Sequence, residues 1–197
     1  MPGAPDPRSV FVNVPFDRRY ERLFATLIST LVSLGQTPHC VLEVRERGQG
    51  RLARIYDLLG SCGVSIHDLS RAGTPVRFNM PFELGLACSL ALSGAAHDVV
   101  VLDSEPYRLD RTISDYKGRD PLIHGHRVDD LVDCLADVFQ VAREPTPAVL
   151  KTEARFVRRS AREIARTYGG TLFRPSAFRA LVAASADRAR QQGLIAP

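Results

Sequence analysis

Apolar positions along the chain alternate between two spacings. Ser9-Val-Phe-Val-Asn-Val14 is a continuous β-branched and aromatic run stopped by Pro15, as in a buried strand. Over residues 18–34, Leu23, Leu27, Leu31 and Leu34 recur at helical spacing, with Phe24 and Ile28 widening the stripe. Asp17 is placed to cap that helix and Gly35 to end it. His39-Cys-Val-Leu-Glu43 predicts a second strand, Gly48-Gln-Gly50 a loop, and residues 51–59 a short helix. Gly63-Val-Ser-Ile-His67 predicts a third strand running into Asp68-Leu-Ser70. A polar loop over residues 71–77 leads to Asn79, the expected cap of a helix reaching about Ser93. His97-Asp-Val-Val-Val-Leu102 predicts a fourth strand. Residues 103–126 are expected to be irregular, with one short strand near Leu122, and a helix follows over about 128–141. Glu144-Pro-Thr-Pro147 breaks the chain before two Arg-rich helical segments, about 148–167 and 176–192.

Strands alternating with helices imply βαβ units and a mostly parallel sheet. Right-handed crossovers leave few topologies, and a flavodoxin-like α/β order of 2-1-3-4-5 is the economical one. The expected division is an α/β domain over residues 1–147 and an Arg-rich helical extension over 148–197.

Composition narrows the class. The 197 residues are 45% hydrophobic and 24% charged, ordinary values for a folded chain. No window approaches the roughly 18 unbroken apolar residues of a membrane span, and the N-terminus has no apolar signal-peptide core. The four cysteines, Cys40, Cys62, Cys88 and Cys134, are scattered without C-x-x-C spacing. A cytoplasmic protein with reduced thiols is the expectation, with no membrane contact and no metal. The net charge of +4 is uneven: residues 1–150 carry −3 and residues 151–197 carry +7. Of 26 basic residues 24 are Arg, a bias that fits a GC-rich genome better than phosphate recognition. Arg155, Arg158, Arg159, Arg162 and Arg166 recur at near-helical spacing. A solvated face that pairs with acidic groups is favoured there over a nucleic-acid stripe.

Ligands of open parallel sheets bind beyond the carboxyl ends of the strands, where the strand order reverses. Here that edge lies between strands 1 and 3. Strand 1 delivers Asn13, Pro15, Phe16 and Asp17; strand 3 delivers Asp68 and Ser70; the next helix begins at Asn79 and carries Glu83 at or just beyond its first turn. Glu83 lies in the otherwise apolar phrase Asn79-Met-Pro-Phe-Glu-Leu-Gly-Leu-Ala87. It either complements a helix N-terminus or lines a pocket, with Gly85 allowing close approach. Asp68 either closes a turn or acts in a site. Asp17 is the likelier cap than acid. Phe16 either stacks on a base or staples the following helix, and Arg77 binds phosphate or solvates its loop. The polar stretch Asp115-Tyr-Lys-Gly-Arg-Asp120 reads as a solvated loop rather than a lid. His124-x-His126 lacks an acidic ligand at a spacing that suggests zinc. No P-loop, G-x-G-x-x-G or G-x-S-x-G motif is present.

These residues carry a resemblance. Ser9-Val-Phe-Val-Asn-Val-Pro-Phe-Asp17 resembles the opening strand and loop of Toll/interleukin-1 receptor (TIR) domains. Ser65-Ile-His-Asp-Leu-Ser70 followed by Phe82-Glu-Leu84 resembles the TIR strand–loop–helix that ends in a catalytic glutamate. Arg77-Phe-Asn-Met-Pro-Phe-Glu-Leu-Gly-Leu-Ala87 is similar to the phrase holding the nucleophilic glutamate of nucleoside 2-deoxyribosyltransferase-like proteins. The resemblance spans about residues 9–103. The chain has no tryptophan, which usually precedes the TIR glutamate. The resemblance implies a flavodoxin-like core and cleavage of an N-glycosidic bond in NAD or a related nucleotide. It implies no cofactor beyond that substrate, self-association into a homo-oligomer, and a setting such as bacterial defence. Glu83 would be the catalytic carboxylate and Asp68 a proton donor. Asn13, Pro15, Phe16, Asp17, Ser70, Arg77 and Asn79 would hold substrate. A non-enzymatic TIR-like module for nucleotide sensing or assembly, or a deoxyribosyltransferase-like enzyme, is the alternative.

Overall fold

The computed structural model describes residues 4–43, 50–71, 78–113, 115–116, 120–139 and 145–196. Five strands form one parallel sheet, β1 (Asp6–Asn13), β2 (Thr37–His39), β3 (Cys62–Asp68), β4 (Asp98–Asp103) and β5 (Leu122–Ile123). Their order is β2-β1-β3-β4-β5, the expected flavodoxin-like layout. Asn13 pairs with His67, Asp68 with Leu102, and Asp103 with Ile123, so β1, β3, β4 and β5 end at one edge. Val10, Phe11 and Val12 are wholly buried, as a central strand of an α/β sheet requires.

The helices are α1 (Glu21–Ser33), α2 (Arg51–Ser61), α3 (Asn79–Leu92), α4 (Arg108–Thr112), α5 (Val128–Phe139), α6 (Pro147–Thr167) and α7 (Pro175–Gln191). The chain forms two compact units that do not follow the division expected at residue 147. One comprises Met1–Pro15 and His39–His126, with α2 and α3 packed on its strands. The other comprises Phe16–Pro38 and Arg127–Pro197, in which α1 packs against α5, α6 and α7. The C-terminal helices α6 and α7 are packing partners of α1. Val132 and Ala136 of α5 meet Leu150 and Ala154 of α6 in a core cluster. The rings of Phe16, Phe24, Phe173 and Phe178 meet in tilted and edge-on contacts as another cluster in the same unit. Arg188 reaches both carboxylate oxygens of buried Glu153, at 2.5 and 3.2 Å, and lies 4.1 Å over the Phe156 ring. Thr146 accepts from Val149 N–H and Pro147 opens α6, a favourable helix start.

Several boundaries differ from the periodicity. The run at residues 39–43 is no strand: β2 ends at His39, and Val41–Glu43 is a 3-10 turn. The Glu43 carboxylate accepts from Cys40 N–H at 3.1 Å and faces His39 Nδ1 at 3.1 Å, closing the backbone locally. Asp17 does not cap α1, whose first residue is Glu21. Its Oδ1 accepts from Arg19 and Tyr20 N–H and so closes the turn ahead of the helix. Asn79 does not cap α3 either: it is the first helical residue and Phe78 occupies the cap. Helix α4 occupies a stretch expected to be irregular. Gly35, at φ +74°, ends α1 as expected, with Gln36 N–H donating to Leu31 O. Among the described residues no helix is long and apolar enough to cross a membrane.

Candidate active site

The site lies in the first unit, at the carboxyl edge of the sheet. Asn13, at the end of β1, donates through Nδ2 to Met80 O at 3.2 Å, tying β1 to the start of α3. The same amide lies 3.0 Å from His67 Nδ1. An amide nitrogen only donates, so Nδ1 accepts and the ring proton sits on Nε2. His67 is fully buried, and Nε2 has no protein partner among the described residues. Burial, and secondly the charge of His97, push its pKa down to about 3, so the imidazole is neutral.

Met80, Glu83, Leu84 and Ala87 are the buried stripe of α3. Their spacing puts a carboxyl among three apolar side chains on the inward face. Glu83 is 7% exposed and its carboxyl makes no hydrogen bond or ion pair among the described residues. Desolvation pushes its pKa up to about 7, against a smaller downward pull from Arg51 at the start of α2. One reading of Glu83 makes it the complement of the helix N-terminus. Glu83 instead lies one residue past the first turn, where burial outweighs the helix dipole. Gly85 does not serve close approach: it faces outward, with open space where a Cβ would stand.

Asp68 ends β3 and is wholly buried. Its Oδ1 accepts from Ser70 N–H at 2.8 Å, and Oδ2 lies 3.1 Å from His124 Nε2, an ion-pair distance at an angle poor for a hydrogen bond. His124 Nδ1 accepts from His126 N–H at 3.2 Å, which leaves the proton of the neutral ring on Nε2, toward Asp68. His126 holds this turn at φ +58°, a left-handed conformation uncommon outside glycine. The acidic neighbour that the sequence around His124 lacks thus arrives from β3.

Arg108 of α4 joins the ends of β3 and β4. Its guanidinium donates to Leu69 O at 2.7 Å, to Ser70 O at 3.1 Å, and to both carboxylate oxygens of buried Asp103. Asp103 also accepts from Ser104 and Glu105 N–H. Ser70 Oγ and Ser104 Oγ, following β3 and β4, are buried and without a protein partner among the described residues. Groups of this kind call for a polar ligand or water.

Asn13, Pro15, Asp68, Ser70, Asn79 and Glu83 therefore belong to one unit, with Asn13, Asp68, Ser70 and Glu83 buried. Phe16 and Asp17 belong to the other. The Phe16 ring stands 5.2 Å from Phe173 and 6.3 Å from Phe24, the role of a staple for α1. Arg77 lies outside the described residues, as do Lys117, Gly118 and Arg119 of the polar stretch. Sequence reasoning missed His67, Asp103 and Arg108, and weighed His124 only as a zinc ligand. Asp103 carried the one available signal, a carboxylate at the end of an apolar strand. Comparison with protein-family models, with curated proteins and with solved structures finds no match for the chain.

Proposed function

We propose that the first unit cleaves an N-glycosidic bond, with NAD or a related nucleotide as substrate and Glu83 as the carboxylate beside the ribose. The observation that carries this reading is a buried glutamate, free of hydrogen bonds among the described residues and poised near neutral pH, on the helix following β3. Such a group suits acid–base or electrostatic work, and a purely structural carboxylate has little reason to bear that desolvation. The sheet position and the resemblance of the 65–87 stretch to TIR and deoxyribosyltransferase-like proteins agree with it.

Glycosidic cleavage develops positive charge at C1′ and the ring oxygen. Ionised Glu83 in an apolar setting stabilises that charge more than it stabilises the ground state. Nicotinamide leaves NAD as a neutral ring, so no acid is required at the leaving group. A neutral nucleoside would need one, and Asp68 in its protonated form is the candidate. Ser70 and Ser104 hydroxyls supply hydrogen bonds to ribose or phosphate.

The test is incubation of the purified chain with NAD and with several nucleosides, read by chromatography. Nicotinamide or free base should appear with wild type and disappear with Glu83→Gln, while circular dichroism stays unchanged. Equal inertness of both proteins toward every substrate removes the proposal. A second reading, a non-enzymatic module that self-associates, draws on Phe78, Phe82 and Leu92, which α3 and its cap leave exposed. Sedimentation at rising concentration tests it, with Phe82→Ser expected to weaken the oligomer.

A further inference from the structure

The second unit holds a cleft of about 250 Å³ lined by Glu21, Arg22, Ala25, Arg158, Ala161, Arg162, Ala165 and Leu172. Its floor is apolar: three alanines and Leu172. Its walls carry three guanidinium groups against one carboxylate, and that carboxylate is occupied. Glu21 Oε1 accepts from Thr171 Oγ1 at 2.6 Å and from Leu172 N–H at 3.1 Å.

The cations are in a different position. Neither Arg22 nor Arg162 has an ion-pair partner among the described residues, whereas nearby Arg155 lies 3.6 Å from Asp129 and Lys151 2.7 Å from Asp133. Arg158 is half-buried and held in place: Thr26 Oγ1 donates to Arg22 O at 2.9 Å and accepts from Arg158 Nη1 at 3.2 Å. Burial and then the like charge of Arg22 make protonation of Arg158 harder than usual, with Arg155 adding to the crowding and Asp129 opposing it. Like charges gathered in a concave, partly dry place cost stability unless an anion joins them.

We propose that this cleft between α1 and α6 binds a small phosphate-bearing molecule, its phosphate held by Arg22, Arg158 and Arg162 and its organic part lying on the alanine floor. Guanidinium groups match phosphate oxygens in bidentate geometry, and Arg158 is oriented in advance by Thr26. Alanines at 161 and 165, one helical turn apart, leave room that larger side chains would fill. A concave site of this size selects a compact anion, whereas a nucleic-acid backbone asks for an open stripe.

Calorimetric titration of the full chain tests this with three probes: inorganic pyrophosphate, a nucleoside diphosphate and a DNA duplex. Both small probes should bind the cleft once per chain, the nucleoside diphosphate more tightly because it also covers the floor, apart from any nucleotide bound at the Glu83 site. Each of Arg22→Gln and Arg162→Gln, both at exposed positions, should weaken binding about tenfold, the worth of one charge-assisted hydrogen bond. Ala165→Leu keeps every charge and should abolish binding by filling the cleft. If pyrophosphate binds more tightly than the nucleoside diphosphate, the occupant is an inorganic anion and the organic part of the proposal fails. Absence of binding by either probe at millimolar concentration overturns it. So does pyrophosphate binding that both arginine variants or Ala165→Leu retain, or preference for the duplex unaffected by Ala165→Leu.

Discussion

Replacing Glu83 by glutamine should stabilise the protein at alkaline pH while removing the proposed glycosidic activity. The reasoning starts from a carboxyl whose pKa moves from 4.5 to about 7 on burial. The folded state therefore holds its proton more tightly than the unfolded chain does. Below pH 4.5 both states are protonated and Glu83 costs nothing. As pH rises toward 7 the unfolded chain ionises first, and stability falls; above 7 both are ionised and the full penalty stands. Each unit is worth 1.36 kcal/mol, so the penalty approaches about 3 kcal/mol. Glutamine has the same shape and no charge. The variant should thus match wild type near pH 4 and exceed it by up to about 3 kcal/mol at pH 8.5, or roughly 6–12 °C in Tm for a chain of this size. Urea denaturation of both proteins across this pH range is the assay. Taking the difference between the two proteins cancels His67, whose depressed pKa acts in the opposite sense. A difference independent of pH, or a variant less stable throughout, would refute the buried-carboxyl account. The pairing of gained stability with lost turnover is what a site held at an energetic cost predicts.

Other consequences are separately measurable. The proposed cleavage of NAD should speed up with pH through about 7 and level off as Glu83 ionises, and the pH–rate profile checks this. His67 should remain neutral until pH falls near 3, so its ring nitrogens should show no titration between pH 8 and 5 by NMR; below 6.5 the unfolded chain gains the proton first and stability declines. Arg108→Ala removes four hydrogen bonds and leaves Asp103 buried, which should cost about 3 kcal/mol in denaturant titration. Gly63→Ala sets a Cβ 2.7 Å from the Pro7 Cα, so β1 and β3 must part; a loss of about 1–3 kcal/mol is expected in the same assay.

The sheet was legible because Val10-Phe-Val12 and Val99-Val-Val101 are unbroken apolar runs, and buried parallel strands need them. Glu83 was legible for a related reason: a charge on an inward helical stripe contradicts its surroundings. The pairing of Asp68 with His124 was not, since 56 positions and an intervening strand separate them and no local pattern records that register. Arg108 stayed hidden because a helix of five residues is too short to show a period, and its start at Tyr107 has left-handed backbone at φ +59°. At residues 40–43 the apolar run pointed to a strand, yet one carboxylate bonding back to Cys40 outweighed it. The partnership of α1 with α6 and α7 was equally invisible, since amphipathic helices announce a buried face without naming what buries it.

That partnership has a consequence for synthesis. Phe24 waits on Phe178, at 6.0 Å between ring centres, and Glu21 on Thr171 and Leu172. Helix α1 leaves the ribosome well before its cover, since Thr171 follows Glu21 by 150 positions. The nascent chain therefore carries an uncovered greasy helix through that interval, a natural client for a chaperone. A message truncated shortly after α5 would yield a product that keeps all five strands and cannot bury Phe24.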